Sequence, residues 1–401
     1  MRGAGPLTAE VAGGKPELLW LVSRVTALTV LTGGLYSFWS RTRVRRWLWS
    51  ALRIGGAPLE YVGQPLEKLM GFVLAALIVA TYLGLVVMVL VFLSLELTAS
   101  PEAGALAAFA LIPPLYWFAK YRGLRYLLNH TRWRGIGFSM APGAWGYVLR
   151  ATFWTGLAVA TLGLLWPLRE HRLWRYRADR TSFGDGRFTL ERGVGRLWLY
   201  WLPVLAGLWV GIGSQVYVRN QAPSVIAPAE AVTYLLAFAL YGAGLAVLWV
   251  SWRAQSFAYL ASGLRHASGA RLVLTLASWR MVTVHLLGWL TVLTILAIGV
   301  LILAFGTGLA VVVAGLQADL EQIGAAPGYV LAGVALAIYV ALFLMRGALR
   351  LVFVTLPVLR HAGARLRIEA AEGLVQVRAG PAQRMADADG FANLFDMGSA
   401  I

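Results

Sequence analysis

Two pairs of arginines, Arg43 with Arg46 and Arg172 with Arg175, stand three residues apart in segments of helical composition, so each pair shares one helix face. Two guanidinium groups on one face are planar donors suited to phosphate oxygens. An aromatic follows each pair, Trp47 in one and Tyr176 in the other, and such rings settle at lipid-headgroup depth. The interleaving recurs at Arg122 and Arg125, and at Arg132 and Arg134 around Trp133. An arginine near an anionic membrane surface gains about 1 kcal/mol. The chemistry expected here is recognition of anionic headgroups. The plainer alternative is that the arginines only orient the chain and the aromatics only form an interfacial belt, although there are more arginines than orientation requires.

Other chemistry finds no pattern. Gly-Lys-Ser/Thr loops, His-Glu-x-x-His and Gly-x-Ser-x-Gly motifs are absent. The five histidines follow no ligand spacing, and the arginines around them oppose a cation. Without cysteine, disulfides and thiolate sites are excluded. Glu170-His171 with Asp179 and Asp185 has the residue types for acid–base work, but Arg169, Arg172 and Arg175 make ion pairing the expected fate of these carboxylates. No enzyme, cofactor or metal site is expected.

The elements that must carry the arginines are membrane helices. Of 401 residues 59% are hydrophobic, mean hydropathy is +0.69, and 35 Lys+Arg against 18 Asp+Glu leave a net charge of +17. Apolar stretches near 69–97, 103–119, 195–218, 230–251, 280–316 and 329–345 are long enough, or nearly so, to cross a hydrocarbon core about 30 Å thick. The longest could kink at Gly306-Thr307-Gly308. Met1–Pro16 carries no signal-peptide pattern and reads as an N-terminal tail. Glu17–Thr32 and Ala144–Leu162 are shorter, are interrupted by Arg24 and Arg150, and end at Gly33-Gly34 and Gly163.

Were 144–162 to span, Arg169 to Arg187 would lie opposite Lys120 to Arg134, against the positive-inside rule. As re-entrant or interfacial hairpins, both segments leave every basic residue but Arg219, and both termini, on the cytoplasmic side. Eight full spans are the alternative. Nucleic acid is set aside as a partner because the arginines sit at ends of apolar helices rather than in a basic domain.

The chain also resembles itself. Gly34, Arg43, Arg46, Trp47 and Gly55 match Gly163, Arg172, Arg175, Tyr176 and Gly184, and Lys120, Tyr126 and Arg132 match Arg253, Tyr259 and Arg265. Arg265–Leu272 recurs, minus one serine, as Arg360–Leu366. The expected units are an N-terminal tail 1–16, a first repeat 17–143, a second 144–278, a third partial repeat 279–379 and a mobile tail 380–401. Glycine-centred alternation at Arg53–Tyr61, Thr131–Phe138, Thr181–Leu190, Arg265–Leu274 and Arg360–Glu369 predicts five β-hairpins, Asp185-Gly186 being the best turn. They should pair into a small cytoplasmic sheet capping the helices. The predicted fold class is an all-α polytopic membrane protein with about six spanning helices and two re-entrant or interfacial helical hairpins, internally duplicated, with small cytoplasmic β-hairpins.

The stretch from Gly34 to Trp47, Leu59–Gly63, Tyr121–Tyr126, Thr131–Phe138, Thr161–Pro167 and Thr181–Gly184 resembles the YjgN-like inner-membrane proteins of bacteria, a family of unknown function (domain of unknown function 898). The resemblance runs from about 17 to 379 and is weakest in the last partial unit. Ser40-Arg41 departs from the family's more usual Ala-Lys but keeps the charge. It implies a bacterial inner-membrane location and no established activity. The residues then favour a non-enzymatic protein binding anionic membrane lipids, acting in envelope lipid organisation. The alternative is a transporter or channel with a path between the two large repeats. Against it, the spans hold few ionisable groups: His285 near an inner end and Glu96 near an outer one. A homo-oligomer and a small-molecule substrate stay open.

Overall fold

The protein is described from a computed structural model covering residues 6–98, 101–221, 228–317 and 325–378. The expected tail 380–401 and parts of the loops at 96–104, 213–233 and 316–328 lie outside these residues. Strand β1 (Leu7–Val11) precedes helices α1 (Lys15–Leu31) and α2 (Ser37–Ala51), and β2 (Leu52–Ile54) and β3 (Ala57–Tyr61) form a hairpin. Then come α3 (Pro65–Thr98), α4 (Pro101–Ala110), α5 (Ile112–Asn129), β4 (Thr131–Trp133) and β5 (Ile136–Met140). The order repeats as α6 (Ala144–Ala160), α7 (Trp166–Ala178), β6 (Thr181–Phe183), β7 (Gly186–Leu190), α8 (Gly195–Gln221), α9 (Pro228–Ala261), β8 (Leu264–His266) and β9 (Arg271–Leu274). Last are α10 (Ser278–Gln317), α11 (Ala325–Arg350), a π-helical turn Leu351–Thr355, α12 (Leu356–Arg365), β10 (Leu366–Glu369) and a 3-10 turn Ala371–Gln376.

The expected all-α class is wrong, because the strands close into a ten-stranded antiparallel β-barrel. Each lone hairpin would leave two rows of unpaired N–H and C=O groups, and joining the hairpins edge to edge removes all of them. The anticipated small sheet leaves two edges, and closure leaves none. The expected fifth hairpin at 360–369 is also corrected. Helix α12 runs through Arg365, and β10 pairs instead with β9 and with β1, from the stretch expected to be a tail. β1 pairs with β2 on its other side and completes the ring.

Period-two alternation sorts the barrel wall into two faces. Phe138 faces Phe183 across β5 and β6, and the next pair along is Ser139 with Ser182. The phenylalanines join Trp133, Leu7, Ile54, Leu59, Phe188, Leu374 and Val377 in the apolar filling of the barrel, which the serines do not enter. The turn after β10 lies across this filling. A Cβ on Gly184 (φ +58) would collide with the Arg378 carbonyl oxygen, so glycine admits the crossing segment.

Above the barrel the helices pack in a ring, each on its sequence neighbour from α1 to α11, with α11 closing back on α1. Six helices are long and apolar enough to cross a membrane: Pro65–Leu97, Glu102–Asn129, Gly195–Asn220, Val232–Ala261, Ser278–Gly306 and Ile338–Arg365. This is a multi-pass membrane protein. The second span breaks at Leu111 ahead of Pro113-Pro114, which lack amide donors, whereas α10 is one helix straight through Gly306–Gly308.

Neither α1 nor α6 is among the span-length helices. α1 buries Leu18, Val22, Val25 and Thr29, one stripe at helical spacing. α6 buries Tyr147, Val148, Ala151 and Ala158 and exposes Trp145, Leu149 and Phe153 on its other face. A helix apolar on both faces, with only one covered by protein, suits hydrocarbon, where packing and dispersion rather than transfer from water hold the covered face. Both end in the same turn. The Thr32 and Thr161 hydroxyls donate to the Leu28 and Leu157 carbonyls and accept from the Tyr36 and Leu165 amides. Gly33, Gly34 and Gly163 supply the positive φ that reverses the chain into the basic helix.

Candidate functional site

The anticipated arginines are distributed around the barrel end of the ring. On α2, Arg43 and Arg46 are exposed, with Arg43 lying 5.6 Å from the Tyr36 ring centre and Arg46 donating to the Gly63 carbonyl at 3.1 Å. Trp47 packs against the α1–α2–α11 core. On α7, Arg172 lies 5.6 Å from the Trp154 ring and Arg175 Nε is 3.9 Å from Asp179 Oδ2. Tyr176, expected at the rim, is buried and donates to the Gly143 carbonyl at 2.8 Å. Arg132 and Arg134 are exposed on the β4–β5 hairpin, Arg134 4.7 Å from the Trp133 ring centre. Arg132 faces Glu60 across β3 and β4. These positions leave the α2 and α7 pairs on different hairpin units.

Arg122 and Arg125 are the two that share a cavity. It measures about 260 Å³ and lies between α5 and the start of α6, lined by Phe118, Tyr121, Pro142, Trp145 and these arginines among others. Arg125 Nε donates to the Met140 carbonyl at 3.1 Å and the Tyr121 hydroxyl to the Ala141 carbonyl at 2.7 Å, fixing the floor. No side chain caps the N-terminus of α6 at Gly143, so its first amides add partial positive charge beside the guanidinium groups. Exposed Trp145 stands at the mouth. A largely apolar cavity lined by Arg122 and Arg125 beside a helix N-terminus forms a place where an alkyl chain fits, with cationic groups at hand for its phosphate.

Three polar groupings lie away from the anticipated rim: the Arg169–Glu170 ion pair in the first was expected, while the rings around it and the other two groupings escaped the sequence reading. Arg169, 4% exposed, lies 4.7 Å from the Trp117 ring centre and 4.6 Å from that of Trp166. Its Nε donates to the Thr155 hydroxyl at 2.8 Å. Burial lowers the pKa of this guanidinium, and the Glu170 carboxylate 3.6 Å away opposes that shift. Glu170 also meets Arg253 at 3.8 Å. In the first repeat region, Lys68 is 1% exposed, 4.8 Å from the Tyr61 ring centre, with its ammonium 3.3 Å from the Thr42 hydroxyl. Burial raises the Tyr61 phenol above its ordinary pKa. The third is on the barrel wall: the Ser139 and Ser182 hydroxyls share a 2.6 Å hydrogen bond beside Arg180 and Arg187. Serine alternating with phenylalanine in two paired hairpins was the available signal.

Among the described residues no group of three or more His, Asp or Glu could hold a metal ion. His266, at 3% exposure, is taken up by the Ser268 hydroxyl at 2.8 Å and the Phe183 carbonyl at 3.2 Å.

Comparison with curated proteins and with solved structures gives no match. A family model described as "Bacterial protein of unknown function (DUF898)" matches residues 13–312, well over half of the 401 residues. That stretch takes in strands β2 to β9, both helical turns at Gly33 and Gly163, and the α5–α6 cavity. With the bulk of this architecture inside the matched region, the chain belongs to that bacterial family.

Proposed function

We propose that this chain is a non-enzymatic protein of the bacterial inner membrane that binds anionic lipid headgroups on its cytoplasmic side and contributes to envelope lipid organisation. The observation carrying this is the α5–α6 cavity, where Arg122 and Arg125 meet an uncapped helix N-terminus under exposed Trp145. The positive-inside rule supports a cytoplasmic barrel, since the basic helices α2 and α7 adjoin the hairpins. A path along the barrel axis would meet packed Trp133, Phe183 and Val377, and for a path between the two large repeats the spans hold few ionisable groups, so headgroup binding is preferred over transport.

The test is lipid retention by native mass spectrometry and thermal stabilisation of the purified protein. Phosphatidylglycerol or cardiolipin should stabilise it by linkage, roughly 3 kcal/mol at a lipid concentration a hundredfold above Kd. Replacing Arg122 and Arg125 by Gln should remove most of that gain. Equal stabilisation by phosphatidylcholine would overturn the reading.

A further inference from the structure

The α5–α6 cavity has a neighbour of a different character. A second cavity, about 430 Å³, is lined by Ser139, Ala141, Pro142, Asp179, Arg180, Ser182 and Arg187. Pro142 lines both, so the two are separated by the thickness of one chain segment. The first presents aromatic rings with two arginines. The second presents two hydroxyls, a carboxylate and two guanidinium groups.

Position explains the contrast. Ser139 and Ser182 face each other across β5 and β6, off the barrel's apolar filling, and Arg187 is the residue paired with Ser182 on β7. Asp179 and Arg180 come from the turn ending α7. Arg180 is fixed by stacking, its guanidinium carbon 3.7 Å from the Tyr176 ring centre. A Cβ built on Gly143 would stand 2.8 Å from the Tyr176 hydroxyl and 2.9 Å from Arg180 Nε, so glycine there leaves room for both side chains beside the segment dividing the cavities.

We infer that the second cavity takes the polyol part of a phosphodiester headgroup whose phosphate sits in the first, selecting lipids that carry glycerol or a sugar beyond the phosphate. This rests on the headgroup-binding reading above and names the lipid class. Asp179 and the serines supply acceptors and donors for vicinal hydroxyls. A polyol hydroxyl can donate to the Asp179 carboxylate, which an ionised phosphate oxygen cannot do. A bare phosphate monoester would fill the first cavity and leave the second to water.

The test uses full-length protein in detergent, offered equal amounts of phosphatidylglycerol and phosphatidic acid with identical acyl chains and read by native mass spectrometry. The wild type should favour phosphatidylglycerol about tenfold, the ratio that one or two neutral hydrogen bonds provide. Ser139→Ala with Ser182→Ala should bring the ratio close to one while total anionic lipid bound stays constant. A ratio near one in the wild type, or a preference that survives the double substitution, would overturn the selectivity. Loss of all anionic retention in the wild type would instead sink the headgroup reading itself. Soluble glycerophosphoglycerol at millimolar concentration should not displace the lipid. Displacement would overturn the lipid assignment in favour of a free polyol phosphate. Unchanged melting of the serine variant checks its fold.

Discussion

The guanidinium carbon of Arg169 stands 4.7 Å from the ring centre of Trp117. One is on α7 and the other on α5, so the contact ties the second basic helix to a span of the preceding unit.

Replacing Arg169 by Gln should lower stability by about 2 kcal/mol, the size of a desolvated cation–π contact, and should leave Glu170 to Arg253 alone. Trp117→Phe keeps a weaker ring and should cost less. Equilibrium unfolding in mild detergent reads both. A neutral Arg169→Gln would show that the indole sandwich holds nothing.

Gly288 on α10 faces the π-helical turn, and a Cβ there would stand 2.5 Å from the Phe353 carbonyl oxygen. Because that neighbour is backbone, Gly288→Ala should cost roughly 1–3 kcal/mol by overpacking. Gly306 on the same helix has open space at its Cβ, so Gly306→Ala should be neutral or stabilising by up to about 1 kcal/mol. Thermal melting of the two variants side by side checks this, and equal shifts would count against the close approach.

The absence of cysteine makes single-cysteine labelling clean. Arg53→Cys, Arg132→Cys and Thr189→Cys, exposed on three hairpins, should react with an impermeant maleimide only in inverted vesicles. Glu96→Cys and Arg219→Cys, at the opposite helix ends, should react in intact spheroplasts. Labelling of Thr189→Cys from outside would require α6 to span.

Arg43 with Arg46 and Arg172 with Arg175 belong to separate hairpin units and share no partner. If both pairs hold lipid, Gln replacements should lower anionic-lipid retention additively. A second pair that removes nothing further would mean one shared headgroup, and no loss in the quadruple variant would leave these arginines as orientation signals.

Much of this molecule was legible because hydrocarbon imposes long apolar runs. All six span-length helices overlap stretches visible in the sequence, and four of the five hairpins lie at their expected glycines. Barrel closure was not legible, because it depends on pairing between residues as distant as Leu7 and Ile368. The strand that closes it was readable in part: Leu7-Thr8-Ala9-Glu10-Val11 alternates apolar and polar residues, but five residues before a helix resemble any short leader. For the site, the Arg/Trp spacing marked the barrel end of the helices but could not separate rim from interior. Tyr176 has the composition of an interfacial residue and the environment of a core one. Ser139 and Ser182 gain meaning only once β5 and β6 pair.

The meeting of β1 with β10 orders events during biosynthesis. A ribosome delivers β1 first and β10 only after the last span, so helix pairs can enter the bilayer one after another while β1 and β2 wait with an open edge. Sealing the ring is the final step, and its sequence separation makes it the slow one. Until then each nascent chain offers a strand edge to its neighbours, and a mutation that delays the last span would be felt first as aggregation rather than as lost insertion.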